Sequence, residues 1–96
     1  MVWVNKKFIG IYKEKNVVET IILKLYYDSE NGAITKIKYL DELNREHDNI
    51  KKIDICKSFR NELISINKRY LGQHLIYLNR GYNTLQYKNI EFYNID

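Results

Sequence analysis
The chain has 96 residues and a mass of 11.6 kDa, enough for one domain and one core but not for two. Apolar residues make up 45% and charged residues 29%, a folded rather than a disordered balance, and no apolar run approaches the length of a membrane span. The single cysteine, Cys56, excludes an internal disulfide and a cysteine-based zinc site, and the lack of proline excludes a Pro-rich linker. These features predict a soluble, cytoplasmic (intracellular) protein folded as a single α+β domain over residues 1–96.

The net charge of +4 is unevenly placed. Residues 1–48 hold eight Lys/Arg and eight Asp/Glu, whereas residues 49–96 hold eight against four. A basic half beside a neutral one predicts a positively charged face suited to phosphates or to an acidic protein surface. A solubilising surface would carry the same signature.

The first forty residues read as strands. Trp3 to Tyr12 is the first, turning through Glu14-Lys15-Asn16. The stretch Val17 to Tyr27 is dense in β-branched and aromatic residues. There Val17, Ile21, Leu23, Leu25 and Tyr27 share one parity, with Glu19 the exception. The other parity (Val18, Thr20, Ile22, Lys24, Tyr26) is mixed. This pattern predicts a central strand with one dry side and one partly covered side. Asp28 to Gly32 is a turn with an Asn-Gly pair, and Ala33 to Tyr39 completes a three-stranded meander.

Residues 41–71 read as two helical segments. The first is polar and weakly patterned, with Asp41 and Glu42 at its start, His47 as a solvated member, and Lys51 and Lys52 at its end. The second carries an apolar stripe of Cys56, Phe59, Leu63, Ile66 and Tyr70, with Asp54 as candidate N-cap and Gly72 as candidate C′ residue. At about 100° per residue, Lys57, Arg60, Asn61, Ile64 and Lys68 fall on the side away from that stripe. From His74 the chain returns to strand: Leu75 to Leu78, then a turn over Asn79 to Asn83, then Thr84 to Tyr87 and Ile90 to Ile95. The predicted order is β-β-β-α-α-β-β(-β), an antiparallel sheet with one or two helices packed on one face.

Two short motifs resemble known signatures. Gly10-Ile11-Tyr12 resembles the first half of the GIY-YIG nuclease signature, but Asp28 or Ser29 stands where that family has its second glycine. Arg80 to Tyr87 is similar to the RNP1 strand of RNA-recognition modules in Arg80, Gly81, Tyr82, Leu85 and Tyr87. It departs at Asn83 and at Thr84, where that family carries a base-stacking ring, and three strands precede any helix here. Neither resemblance is carried into a functional assignment.

The two histidines and three serines stand in no spaced catalytic motif, and Glu46-His47-Asp48 lacks helical metal-ligand spacing. The expectation is therefore a small non-enzymatic binding protein with no cofactor, no metal and no membrane partner. Its sharpest form is an inhibitor or modulator of a protein or nucleoprotein with an acidic surface. A composition rich in Lys, Ile, Asn and Tyr, all with A/T-rich codons, fits phages and mobile elements, where many small proteins inhibit host proteins. The predicted contact residues are Lys57, Arg60, Asn61, Ile64, Lys68 and Arg69 on the helix, with Arg80 and Tyr82 on the later turn. The alternative is a sequence-tolerant DNA- or RNA-binding module that uses the same basic face.

Overall fold
Two twelve-residue strands, β1 (Trp3–Glu14) and β2 (Val17–Asp28), pair in register along their whole length and form the centre of the fold. A two-residue turn joins them, with Lys15 at a φ of 50°. In the computed structural model, which describes residues 2–96, this hairpin is extended on both sides. On one side β3 (Ile34–Leu40) and the two-residue β4 (Glu46–His47) continue the meander. On the other, β6 (Ile90–Asn94) pairs with Phe8 to Tyr12 of β1, and β5 (Thr84–Tyr87) forms the outer edge. The result is a six-stranded antiparallel sheet in the order β4-β3-β2-β1-β6-β5. The meander is as predicted, and the C-terminal hairpin returns to the first strand.

One helix, α1 (Lys57–Arg69), covers one face of this sheet. The alternation in β2 decides which face: Ile21, Leu23, Leu25 and Tyr27 are buried, while Ile22, Lys24 and Tyr26 on the opposite parity are only half-buried. Phe8 and Tyr12 of β1, Ile37 and Tyr39 of β3, and Ile90 and Phe92 of β6 complete the dry face. Phe59, Leu63 and Ile66 of α1 pack onto it, and the Phe59 ring stacks on Tyr12 at 5.2 Å between centroids. Full burial of each such side chain contributes roughly 1.5–3 kcal/mol. Gly10 lies on this face because a Cβ there would stand 3.2 Å from both Leu23 Cδ1 and Phe92 Cε1. Gly10 and Tyr12 of the nuclease-like tripeptide are thus committed to the core.

The predicted first helix is absent. Asp41 redirects the chain: its Oδ1 accepts the backbone N–H groups of Leu43 (2.9 Å) and Arg45 (2.8 Å), and Asn44 adopts a φ of 62°. A short polar side chain that bonds its own backbone in this way competes with a helix start. The segment then runs through β4 to a single 3-10 turn, Ile50–Lys52, capped by the Asn49 side chain.

The ends of α1 also differ from expectation. Cys56, not Asp54, occupies the N-cap position, and its side chain makes no capping bond. The Cys56 N–H instead donates to Glu19 Oε2 of β2 at 2.6 Å. This explains the exception in the β2 alternation, since Glu19 is spent on the helix start. At the other end, a 3-10 turn over Leu71–Gln73 follows Tyr70, and the left-handed residue is His74 at φ 56° rather than Gly72. Residues 75–78 form no regular strand; Tyr77 makes an isolated bridge to Ala33. Among the described residues, no helix is long and apolar enough to cross a membrane.

Tyr39 gives the core a titration signature. Its ring is fully buried, Asn67 Nδ2 donates to its hydroxyl, and burial pushes its pKa up to about 12, the Asn67 bond opposing the shift. The folded state therefore favours the neutral phenol more than the unfolded chain does. The associated stability is complete below pH 10 and declines as pH rises toward 12. We expect this loss to approach roughly 3 kcal/mol, from two pKa units at about 1.4 kcal/mol each. Urea midpoints measured from pH 8 to 12 should show a shallower alkaline decline in Tyr39→Phe than in the parent.

Candidate functional site
The solvent side of α1 is built by the packing of its other side. With Phe59, Leu63 and Ile66 held in the core, Lys57, Asn61 and Lys68 fall on the opposite face and are exposed, as is the neighbouring Arg69. Lys57 and Lys68 stand eleven residues apart, or about 16 Å along the axis at 1.5 Å per residue. No ion pair among the described residues involves Lys57, Lys68 or Arg69. Some cations elsewhere are engaged, as in Lys13–Glu91 (3.5 Å), Lys24–Glu46 (3.3 Å) and Arg45–Asp41 (2.8 Å). Glu62, the helix's own carboxylate, lies 3.6 Å from Lys88 Nζ.

The remaining predicted contact residues are placed differently. Arg60 is half-buried, and its guanidinium donates to the carbonyls of Ile53 (2.9 Å) and Ile55 (3.2 Å), tying the approach segment to the helix. Ile64 is half-buried against the core rather than standing alone on a wet face. Tyr82 packs its ring against Tyr27 at 5.6 Å and donates its hydroxyl to the Glu30 carbonyl at 2.6 Å. Its close approach requires Gly32, at φ 76°, where a Cβ would lie 2.9 Å from the Tyr82 ring. Arg80 is exposed on the same turn, on a different element from the helix. The structure thus gathers Lys57, Asn61, Lys68 and Arg69 on one helix and assigns Arg60, Ile64 and Tyr82 contacts inside the fold.

A groove of about 760 Å³ opens between the Thr20–Ile22 stretch of β2, the Asp41 loop and residues 52–55. Its organising group is Asp41, whose Oδ2 meets Arg45 Nε at 2.8 Å and His47 Nε2 at 2.7 Å. The His47 bond, together with the Arg45 contacts, holds the Asp41 carboxyl well below the usual carboxylate range. His47, expected as a solvated helical residue, is therefore a half-buried strand partner of Asp41. With both carboxylate oxygens engaged, Asp41 is arranged to hold the loop rather than to move a proton. Among the described residues, no group of three or more His, Cys, Asp or Glu is placed to hold a metal ion.

Sequence reasoning missed the tie made by Arg60. Its angular position is that of a surface residue, and only the chain's close approach before the helix brings the two carbonyls within reach. Comparison with protein-family models, with curated proteins and with solved structures finds no match.

Two stability measurements test this assignment. Removal of the Arg60 guanidinium in Arg60→Ala should lower unfolding free energy by about 1–3 kcal/mol, because charged hydrogen bonds to two carbonyls are lost. The double variant Lys57→Glu/Lys68→Glu should stay within about 0.5 kcal/mol of the parent, because surface changes away from such ties are small. For Asp41, the folded pKa lies below the unfolded value near 3.9, so its contribution is present above about pH 4 and fades as pH falls through the folded value. Thermal midpoints from pH 7 to 2 should fall less steeply in Asp41→Asn, from a lower starting point.

Proposed function
We propose that the protein is a non-enzymatic binding protein that docks the solvent face of α1 onto an acidic surface of a macromolecular partner, acting as an inhibitor or modulator. Lys57 carries the reading. It occupies the first position of the helix, where the macrodipole is positive and a cation is unfavourable, and no acidic residue stands in that first turn. Lys68 and Arg69 lie in the last turn, where the dipole alone would favour them. The Glu19 carboxylate at the helix start is bonded to the Cys56 N–H rather than ion-paired with Lys57, and a negatively charged partner supplies Lys57 with a counter-charge.

The contact surface is Lys57, Asn61, Lys68 and Arg69. Long cationic side chains beside an amide can pair carboxylates and fill their hydrogen-bonding needs. Arg60 and Ile64 support the surface from within, and Arg80 and Tyr82 stand outside it.

The test is a tagged pull-down from cells of the source, with nuclease-treated controls, comparing the parent with Lys57→Glu/Lys68→Glu. A protein captured by the parent after nuclease treatment should bind the variant at least about tenfold more weakly, in line with loss of interface anchors. Equal capture by the folded variant would remove α1 as the contact surface. Capture that nuclease abolishes and that the variant also loses would reassign the same face to nucleic acid.

A further inference from the structure
The face of the sheet opposite α1 is covered by no helix, and its lysines stand in line. Lys7 of β1 lies directly opposite Lys24 of β2, and Lys24 lies directly opposite Lys38 of β3. All three have the parity that points away from the core. Adjacent strands are about 4.8 Å apart, so three ammonium stems cross the sheet within about 10 Å. Like charges directly opposite one another destabilise a sheet. A fourth cation, Lys36, flanks the row with its Nζ 5.4 Å from the centroid of the Tyr26 ring.

Internal neutralisation of the row is partial. Lys24 contacts Glu46 and Lys38 contacts Asp48; the lysine side chains are 27% and 18% exposed, and the acids, at the sheet's edge, 41% and 76%. The Lys7 backbone N–H donates to Asp96 Oδ2 at 2.6 Å and Lys36 lies within electrostatic reach of Asp48, but neither ammonium forms an ion pair among the described residues. The row is also bracketed by rings: Tyr26 lies two positions from Lys24 along β2, and Tyr93, 38% exposed, pairs with Ile9, two positions from Lys7 along β1. Each offset is about 7 Å.

We infer that this open face is a binding site for single-stranded nucleic acid, with phosphates along the Lys7–Lys24–Lys38 row and bases against Tyr26 and Tyr93. The cation row supplies the charge complementarity, and the flanking rings distinguish the ligand from an acidic polypeptide. Unpaired bases offer exposed π-faces, which a duplex conceals within its stack. The site is independent of the helix surface and lies on the other side of the sheet.

Fluorescence anisotropy with a 5′-labelled twenty-residue oligothymidylate tests the inference. Binding at 50 mM NaCl should weaken with salt at a log–log slope of about −2 to −3, as expected for three to four phosphate contacts on a single strand. Lys7→Gln/Lys24→Gln should reduce that slope by about 1.4, and Tyr26→Ala should weaken binding by roughly 5- to 100-fold. Lys57→Glu/Lys68→Glu, on the opposite side, should bind as the parent does. Unfolding midpoints establish that each variant is folded. No binding at 50 mM, a slope unchanged in the lysine variant, or an equal loss in the helix variant would overturn the site. So would equal affinity for a twenty-base-pair duplex or equally effective competition by polyglutamate.

Discussion

Burying one parity of β2 under a single helix constrains everything else in the molecule. Ile21, Leu23, Leu25 and Tyr27 turn inward together, so Ile22, Lys24 and Tyr26 have no choice but to face the other way. Because β1 is paired on both edges, with β2 along its length and β6 over Phe8 to Tyr12, its alternation is locked to theirs. A slip of one residue would expose Leu23 and Leu25 and bury Lys24. Register therefore sets both the hydrophobic core and the alignment of Lys7, Lys24 and Lys38, and the two cannot be adjusted separately.

The helix is held to this sheet by more than its apolar stripe. Tyr12 and Phe59 stack across the interface, Glu19 receives the Cys56 N–H, and Arg60 reaches back to the Ile53 and Ile55 carbonyls. Each polar tie satisfies backbone groups that a helix start and its approach segment would otherwise leave open. The ties act at the N-terminal end of α1, near Lys57. Lys57 is thus presented from a fastened end of the helix, which limits the entropy lost when it engages a partner.

Local pattern made the meander, the stripe of α1 and the final hairpin readable, since strand alternation and helical spacing are properties of neighbouring residues. The failures lie where a distant group intervenes. The stretch from Asp41 to Lys52 carries charges placed as a helix would place them, yet one carboxylate that captures two backbone N–H groups turns it into a loop. Glu19 looked like an irregularity in a strand because its partner lies 37 residues away. Arg60 and Tyr82 have the composition of contact residues, but their acceptors are carbonyls brought near by tertiary packing. The lysine row was equally hidden: each lysine occupies an unremarkable outward position, and only the register of three strands aligns them.

The charge distribution bears on how these surfaces operate. Between residues 41 and 54 the chain has five acids (Asp41, Glu42, Glu46, Asp48, Asp54) and three bases (Arg45, Lys51, Lys52), a net of −2 within a total of +4. The rest of the molecule therefore carries +6. Glu46 and Asp48 belong to this acidic stretch, and they are the groups that engage Lys24 and Lys38. They act as an internal competitor for any anion that approaches the sheet. Lys24 and Lys38 are the more covered members of these pairs and Glu46 and Asp48 the more exposed ones, so an anion has to displace the two carboxylates, which in its absence shield the lysines from one another. The helix surface has no equivalent shield at Lys57, Lys68 or Arg69. The two faces should thus differ in character, one self-screened, the other open and dependent on a partner's own carboxylates.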